Sequence, residues 1–210
     1  MRKPLFIYGA GGLGREVLAL IRDLQEWEPI GFIDDSVPEN TMVSGLKVMG
    51  GSEVLERVAE PVFVVLAFGD PMTRVAIRSR ISNPHVQFPV VKHPKATLMD
   101  PERISIGAGC IITAGVIITT SVRIGEHVLI NLNATIGHDA AVGNFTSIMP
   151  GVNIGGEVKV GDGVLIGSGA SIRNSVVIGD RCKVGMGAVV IHDVSAGTIV
   201  AGVPAKPLAA

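Results

Sequence analysis

Apolar positions along the chain obey two rules, one before about residue 92 and another after it. Leu5-Phe6-Ile7-Tyr8 is an apolar run of strand length, and Arg15 to Gln25 then carries Val17, Leu18, Leu20, Ile21 and Leu24 at helical spacing. Ile30 to Ile33 predicts a second strand, Val54 to Val58 a short helix and Val62 to Phe68 a third strand. Thr73 to Ile81 predicts another helix, and Val86 to Val91 a fourth strand. Strands alternating with helices predict parallel pairing through right-handed crossovers, so residues 1–92 read as a small α/β domain.

From Ile106 every sixth residue is Ile or Val, through Ile112, Ile118 and Ile124 to Val190, fifteen units in all. Four places after each stands a small or β-branched residue, from Cys110 and Val116 to Val194, and Gly follows the Ile or Val directly in nine of the fifteen. Six-residue spacing walks around a 3.6-residue helical turn and buries no single face. A run of hairpins would instead need turn signals every 8 to 12 residues and period-two alternation. A three-sided coil satisfies the pattern. Each unit is one short strand, three units close a coil of 18 residues, and coils stack at about 4.8 Å. Residues 106–195 therefore predict five coils of a left-handed parallel β-helix, within a second, all-β domain over 93–210.

Composition narrows the partners. The 210-residue chain has a formal net charge of −1 and no run of like charges, which argues against nucleic acid or a charged membrane surface. Mean hydropathy is +0.47, yet no apolar stretch approaches the roughly 18 residues of a membrane span. The apolar run after Met1-Arg2-Lys3 ends in glycines by Gly9, too soon for a secretory signal. Cys110 and Cys182 lie far apart in no metal-like spacing, which predicts a cytoplasmic protein with reduced thiols.

Gly9-Ala10-Gly11-Gly12-Leu13-Gly14 fits G-x-G-x-x-G between the first strand and helix, with Asp34 twenty residues beyond Gly14. Glycines permit the tight turn, and the helix N-terminus offers N–H groups to a phosphate. Alone the motif suggests a nicotinamide dinucleotide. The α/β region is only half of a dinucleotide fold, however, so a Rossmann-like domain holding one nucleotide-sugar is favoured over NAD.

Among five histidines, His138 stands at a coil corner, where side chains project outward; eighteen residues to either side that corner carries Thr120 and Gly156. Asp139 beside it is placed to orient an imidazole base. Judged from the residues alone, such a corner pair is more often plain surface. His127, on another corner, reads as ordinary surface, and His93 as a structural residue at the β-helix entry. A zinc site would need three convergent histidines, and the place five after His138 is Gly143, so no metal is expected.

The repeat resembles that of the hexapeptide-repeat acyltransferases, and Gly202-Val203-Pro204-Ala205-Lys206-Pro207 resembles their closing segment. With the α/β front end, nearly the whole chain is similar to the sugar acetyltransferases typified by the bacillosamine, perosamine and sialic-acid enzymes. The resemblance implies a homotrimer in surface-polysaccharide (O-antigen) biosynthesis, with active sites between subunits and acetyl-CoA lying along the β-helix. It implies that Gly12, Leu13, Gly14, Asp34, Asp35, Phe68, Gly69, Asp70 and Arg74 contact a nucleotide-linked amino sugar. His138 would be the general base and Asp139 its modulator. Acetyl-CoA would run past Ser147, Gly156, Ser168 and Met186. Two positions depart from the family: Leu13 stands where many relatives carry His or Ser, and Ser147 where many carry a second His. No Cys or Ser adjoins His138, so direct transfer is expected rather than a covalent relay. Transfer to a sugar hydroxyl and a non-catalytic trimeric scaffold binding a nucleotide-sugar are the alternatives.

Overall fold

A computed structural model describes residues 2–208. The front domain runs β1 (Lys3–Tyr8), α1 (Gly12–Arg22), β2 (Trp27–Ile33), β3 (Met42–Val43), β4 (Leu46–Lys47), α2 (Glu53–Glu56), β5 (Val62–Leu66), α3 (Pro71–Arg80) and β6 (Val86–Gln87). β2, β1, β5 and β6 form one parallel sheet in that order, which is a single mononucleotide-type half. The β3–β4 hairpin was not legible, because its strands are two residues long; Ser44 and Gly45 turn it with φ of 49° and 77°. The apolar run expected as one strand over Val86–Val91 divides. Val86–Gln87 completes the front sheet, and Val91–Lys92 is already β7, paired with the next domain.

The second domain is the left-handed parallel β-helix, and it holds one coil more than the repeat foretold. One face stacks β7, β10 (Ile111–Ile112), β13 (Leu129–Ile130), β16 (Ser147–Ile148), β19 (Leu165–Ile166) and β22 (Lys183–Val184). The second face stacks β8 (Thr97–Leu98), β11 (Ile117–Ile118), β14 (Thr135–Ile136), β17 (Asn153–Ile154), β20 (Ser171–Ile172) and β23 (Val189–Val190). The third stacks β9 (Ser105–Ile106), β12 (Arg123–Ile124), β15 (Ala141–Val142), β18 (Lys159–Val160) and β21 (Val177–Ile178), and Val194 bridges to Ile178 below them. The added first coil breaks the pattern twice. Lys92 and Leu98 stand in register with Ile112 and Ile118, and a 3-10 turn at Pro101–Arg103 lengthens the path to β9. β24 (Ile199–Ala201) and β25 (Lys206–Pro207) close the last coil as an antiparallel pair.

Nearly every repeat residue goes where the period put it. Ile112, Ile118, Ile130, Ile136, Ile148 and Ile166 are fully buried, as are Cys110, Val116, Ala134, Ala140 and Val164 between them. Each such buried Ile is worth roughly 1.5–3 kcal/mol of hydrophobic stabilisation. The corners depend on one conformation. Every sixth residue from Gly109 to Gly187 has positive φ, and Ser121, His127, Asn133, Asp139, Phe145, Glu157, Ser175 and Arg181 adopt it at 54° to 63° without being glycine. The ladder of inter-coil bonds, such as Thr135 N–H to the Val152 carbonyl at 2.9 Å, stabilises that turn in each coil.

The front domain sits on the first face of the β-helix. α1 buries Val17, Leu18, Leu20 and Ile21 in one cluster with Leu5, Ile7 and Phe32 of the sheet and with Val91, Ile111 and Leu129 of the coils. That apolar strip explains why Ile111 and Leu129, which point out of the coil, are apolar.

Candidate active site

The glycine loop joins β1 to α1, and its shape is fixed by contact. Gly9 has φ of 108°, and a Cβ at Gly14 would overlap the Gly9 carbonyl, so strand and helix approach to backbone distance. Gly11 and Gly12 face open space, with nothing within 4 Å of an added Cβ. The N-cap of α1 is Gly11, with no side-chain cap and no acidic residue in the first turn, so the N–H groups of this 11-residue helix remain available to an anion. Phe68 packs its ring against Gly9 and edge-on to Tyr8 at 5.7 Å. These loops border the carboxyl ends of β1, β2 and β5, the crevice side on which open α/β sheets bind ligands.

Several polar residues around this crevice are engaged internally. Asp34 accepts from the Ala10 amide at 2.8 Å, the Ser36 amide at 2.9 Å, the Ser36 hydroxyl at 2.7 Å and the Val37 amide at 3.2 Å. Burial alone would raise its pKa, but these bonds outweigh burial and hold it below the usual carboxylate range. Three of these donors converge on Oδ1 and one on Oδ2, so Asp34 shapes the loop and keeps acceptor capacity at Oδ2. Among the described residues Asp35 accepts from the Tyr8 hydroxyl at 2.7 Å and the Ser52 amide at 2.8 Å, and keeps acceptor capacity. Burial first, and then Asp35, push the Tyr8 phenol upward in pKa. Tyr8 and Ser52 were not anticipated; the one signal was a hydroxyl-bearing aromatic ending an otherwise apolar strand. Asp70 caps α3 through the Thr73 amide at 2.7 Å and hydroxyl at 2.8 Å.

Arg74 and Ser147 meet between the domains. Arg74 is 1% exposed, and its guanidinium donates to the carbonyls of Phe68 (2.6 Å), Gly69 (3.3 Å), His127 (3.2 Å), Phe145 (2.6 Å) and Thr146 (3.1 Å) and to the Ser147 hydroxyl (2.9 Å). Burial pulls its pKa down to about 10, with Asp70 acting in the opposite sense. Ser147 is fully buried and donates to the Gly69 carbonyl at 2.7 Å, so its hydroxyl faces no groove. His127 is likewise buried, not surface: its ring stacks on Phe145 at 4.9 Å and meets Phe88 edge-on.

His138 and Asp139 occupy the corner between the second and third faces, opposite the face that carries the front domain. His138 Nδ1 lies 2.8 Å from Asp139 Oδ2, and the side chains are 53% and 57% exposed. With Nδ1–H given to Asp139, the Nε2 lone pair is left to act as base. The ring lies over Gly156 on the same corner one coil below, where a Cβ would come within 2.5 Å of Nε2. Ser168 and Met186, half-buried and 80% exposed, stand on the corner between the first and second faces. Within one chain, then, His138 with Gly156, Ser168 with Met186, and the front crevice form three separate groups. Among the described residues no cluster of three or more His, Cys, Asp or Glu is arranged to hold a metal ion.

The comparisons with known proteins follow these divisions. The PglD N-terminal domain family matches residues 4–81. The bacterial transferase hexapeptide family matches 139–174 and 157–192, and the hexapeptide repeat of succinyl-transferase matches 104–120. No curated protein sequence matches the chain significantly. The acetyltransferase domain of PglB from Neisseria gonorrhoeae superposes with a TM-score of 0.90 at 30% identity, over 99% of this chain and 100% of that one. The chain belongs to the hexapeptide-repeat sugar acetyltransferases. The same PglB domain has been solved with acetyl coenzyme A. A histidine-to-asparagine variant of perosamine N-acetyltransferase from Caulobacter crescentus, in complex with CoA and GDP-perosamine, matches with a TM-score of 0.91 at 27% identity, over 99% of this chain and 97% of that one. WeeI from Acinetobacter baumannii matches with 0.88 at 28% identity, over 98% and 100%. No helix among the described residues of this family member is long and apolar enough to cross a membrane.

Proposed function

We propose that this acetyltransferase moves an acetyl group from acetyl-CoA to the amino group of a nucleotide-linked 4-amino-4,6-dideoxy sugar, as a cytoplasmic homotrimer. The observation that carries the reading is the His138–Asp139 pair. Its Nδ1 is engaged, its Nε2 edge lies over Gly156, and both side chains are open to a neighbour. The amine would attack the thioester carbonyl while Nε2 takes its proton; the tetrahedral intermediate then collapses and the CoA thiolate leaves with that proton. Asp139 would hold the tautomer and favour the transient imidazolium.

The nucleotide would lie in the crevice, with phosphates at the amides of Gly12, Leu13 and Gly14, the base or ribose near Asp35, and the sugar near the Phe68–Asp70 turn. Acetyl-CoA would pass Gly156 of one copy and Ser168 and Met186 of the next. Where these groups stand supports a trimer. The front domain covers the face opposite His138, so one chain cannot bring crevice and base together. The exposed Leu132 stands on the same corner as Ser168 and Met186 but in the coil of His138, so a three-fold axis along the β-helix would set that corner of one copy level with His138 of the next.

Thiol release from acetyl-CoA, measured with a panel of UDP-, GDP- and dTDP-linked 4-amino sugars, tests the reading. Turnover with at least one is expected, and His138→Ala should lower kcat about 10²–10⁴-fold while the protein still binds CoA. Undiminished turnover in that variant would remove His138 as the base, and binding without any turnover would favour the scaffold.

A further inference from the structure

Ser147 sits nine residues after His138, where the family resemblance assigned it to the cofactor. The structure gives its side chain a different partner. Its Oγ donates to the Gly69 carbonyl at 2.7 Å and accepts from Arg74 Nη1 at 2.9 Å. Arg74 Nη1 also donates to the Phe68 carbonyl at 2.6 Å, while Nη2 and Nε reach Phe145, Thr146 and His127 on the β-helix. One guanidinium and one hydroxyl therefore bind both carbonyls of the Phe68-Gly69 segment to the fourth coil. Asp70 then turns that segment into α3 through Thr73. On the β-helix side, Met149 of the same coil lies with its Cε 3.6 Å from where a Cβ on Gly69 would be.

We propose that Ser147 and Arg74 are positioning residues that fix the Phe68–Asp70 turn at one height on the β-helix and so set where the nucleotide-sugar is presented, with no contact to acetyl-CoA. The inference rests on the acetyltransferase reading above. Its physical basis is that a turn of three residues between a strand and a helix has two carbonyls pinned from below, so its upper surface is held at a fixed level. Among the described residues Arg74 hydrogen-bonds to no carboxylate, and its spread of carbonyl acceptors defines a place in space better than a single ion pair would.

Ser147→Ala deletes one hydroxyl and leaves Arg74 its five carbonyls, so folding should persist. Steady-state kinetics of wild type and variant, varying each substrate separately, should show the KM for the nucleotide-linked amino sugar raised about five- to tenfold, the worth of one such bond, with the KM for acetyl-CoA within twofold. Arg74→Lys, which keeps charge but loses the fork, should move the same constant further. A rise in the acetyl-CoA KM with the sugar KM unchanged would return Ser147 to the cofactor and overturn the inference, as would no change in either. If Ser147→Ala fails to fold, calorimetry of wild type and Arg74→Lys with the sugar nucleotide and with CoA reads the same split. Absence of turnover in the wild type with every sugar nucleotide is a different result, and it would count against the acetyltransferase reading itself.

Discussion

His127 is 2% exposed, yet its Nδ1 has no hydrogen-bond partner among the described residues. Burial first, and then the charges of Arg78 and Arg74, lower its pKa from an ordinary 6.5 to about 4. Between those two values the unfolded chain binds more protons than the folded one, so stability present near neutrality is lost as pH falls through that window. The loss from this one residue is at most about 3 kcal/mol. His127→Phe keeps the aromatic stack with Phe145 and Phe88, removes the unsatisfied nitrogen and abolishes this pH dependence. Thermal melts at pH 7 and pH 5 should show a smaller drop for the variant than for wild type; parallel drops would mean the imidazole is not held neutral. From sequence, His127 and His138 were both corner histidines. What separates them is that one corner lies under α3 and the other faces away, a fact set by domain docking and invisible to a six-residue period. Arg74 reads as a ligand contact from sequence for a related reason: a motif marks who is near a crevice, whereas counting hydrogen bonds shows that its guanidinium is already committed.

Coils and corners behave as elements with their own rule. The period placed the core of the β-helix because inward Ile and small corner residues recur without insertion from β9 to β23. It missed the first coil, where Lys92 and Leu98 occupy the inward register and a 3-10 turn adds residues, because an end coil buries only one side of its core. Corner stacking also explains a functional position. Thr120, His138 and Gly156 lie above one another, and the imidazole occupies space that a side chain at Gly156 would take. Gly156→Ala should therefore displace the ring and lower kcat at least about tenfold, while circular dichroism and melting temperature change little, since the side chain it disturbs is exposed. An unaltered kcat would show that the ring's place over Gly156 is irrelevant to turnover.

At the scale of the whole molecule, the front domain and His138 point away from each other across the β-helix. The α/β and β-helical halves were legible because each carries its own periodicity. Their docking was not, because it depends on outward residues such as Ile111, Leu129 and Ser147 that the period leaves free. The central claim is that one copy's crevice works with the next copy's His138, and subunit mixing tests it. Gly12→Glu has room for its side chain and sets a carboxylate where phosphates would bind, and His138→Ala removes the base. Each variant alone should be nearly inactive. Trimers co-assembled from equal amounts of the two should recover about a quarter of wild-type turnover, because a quarter of randomly formed interfaces join an intact loop to an intact histidine. Mixed trimers as inactive as either parent would contradict a site shared between copies.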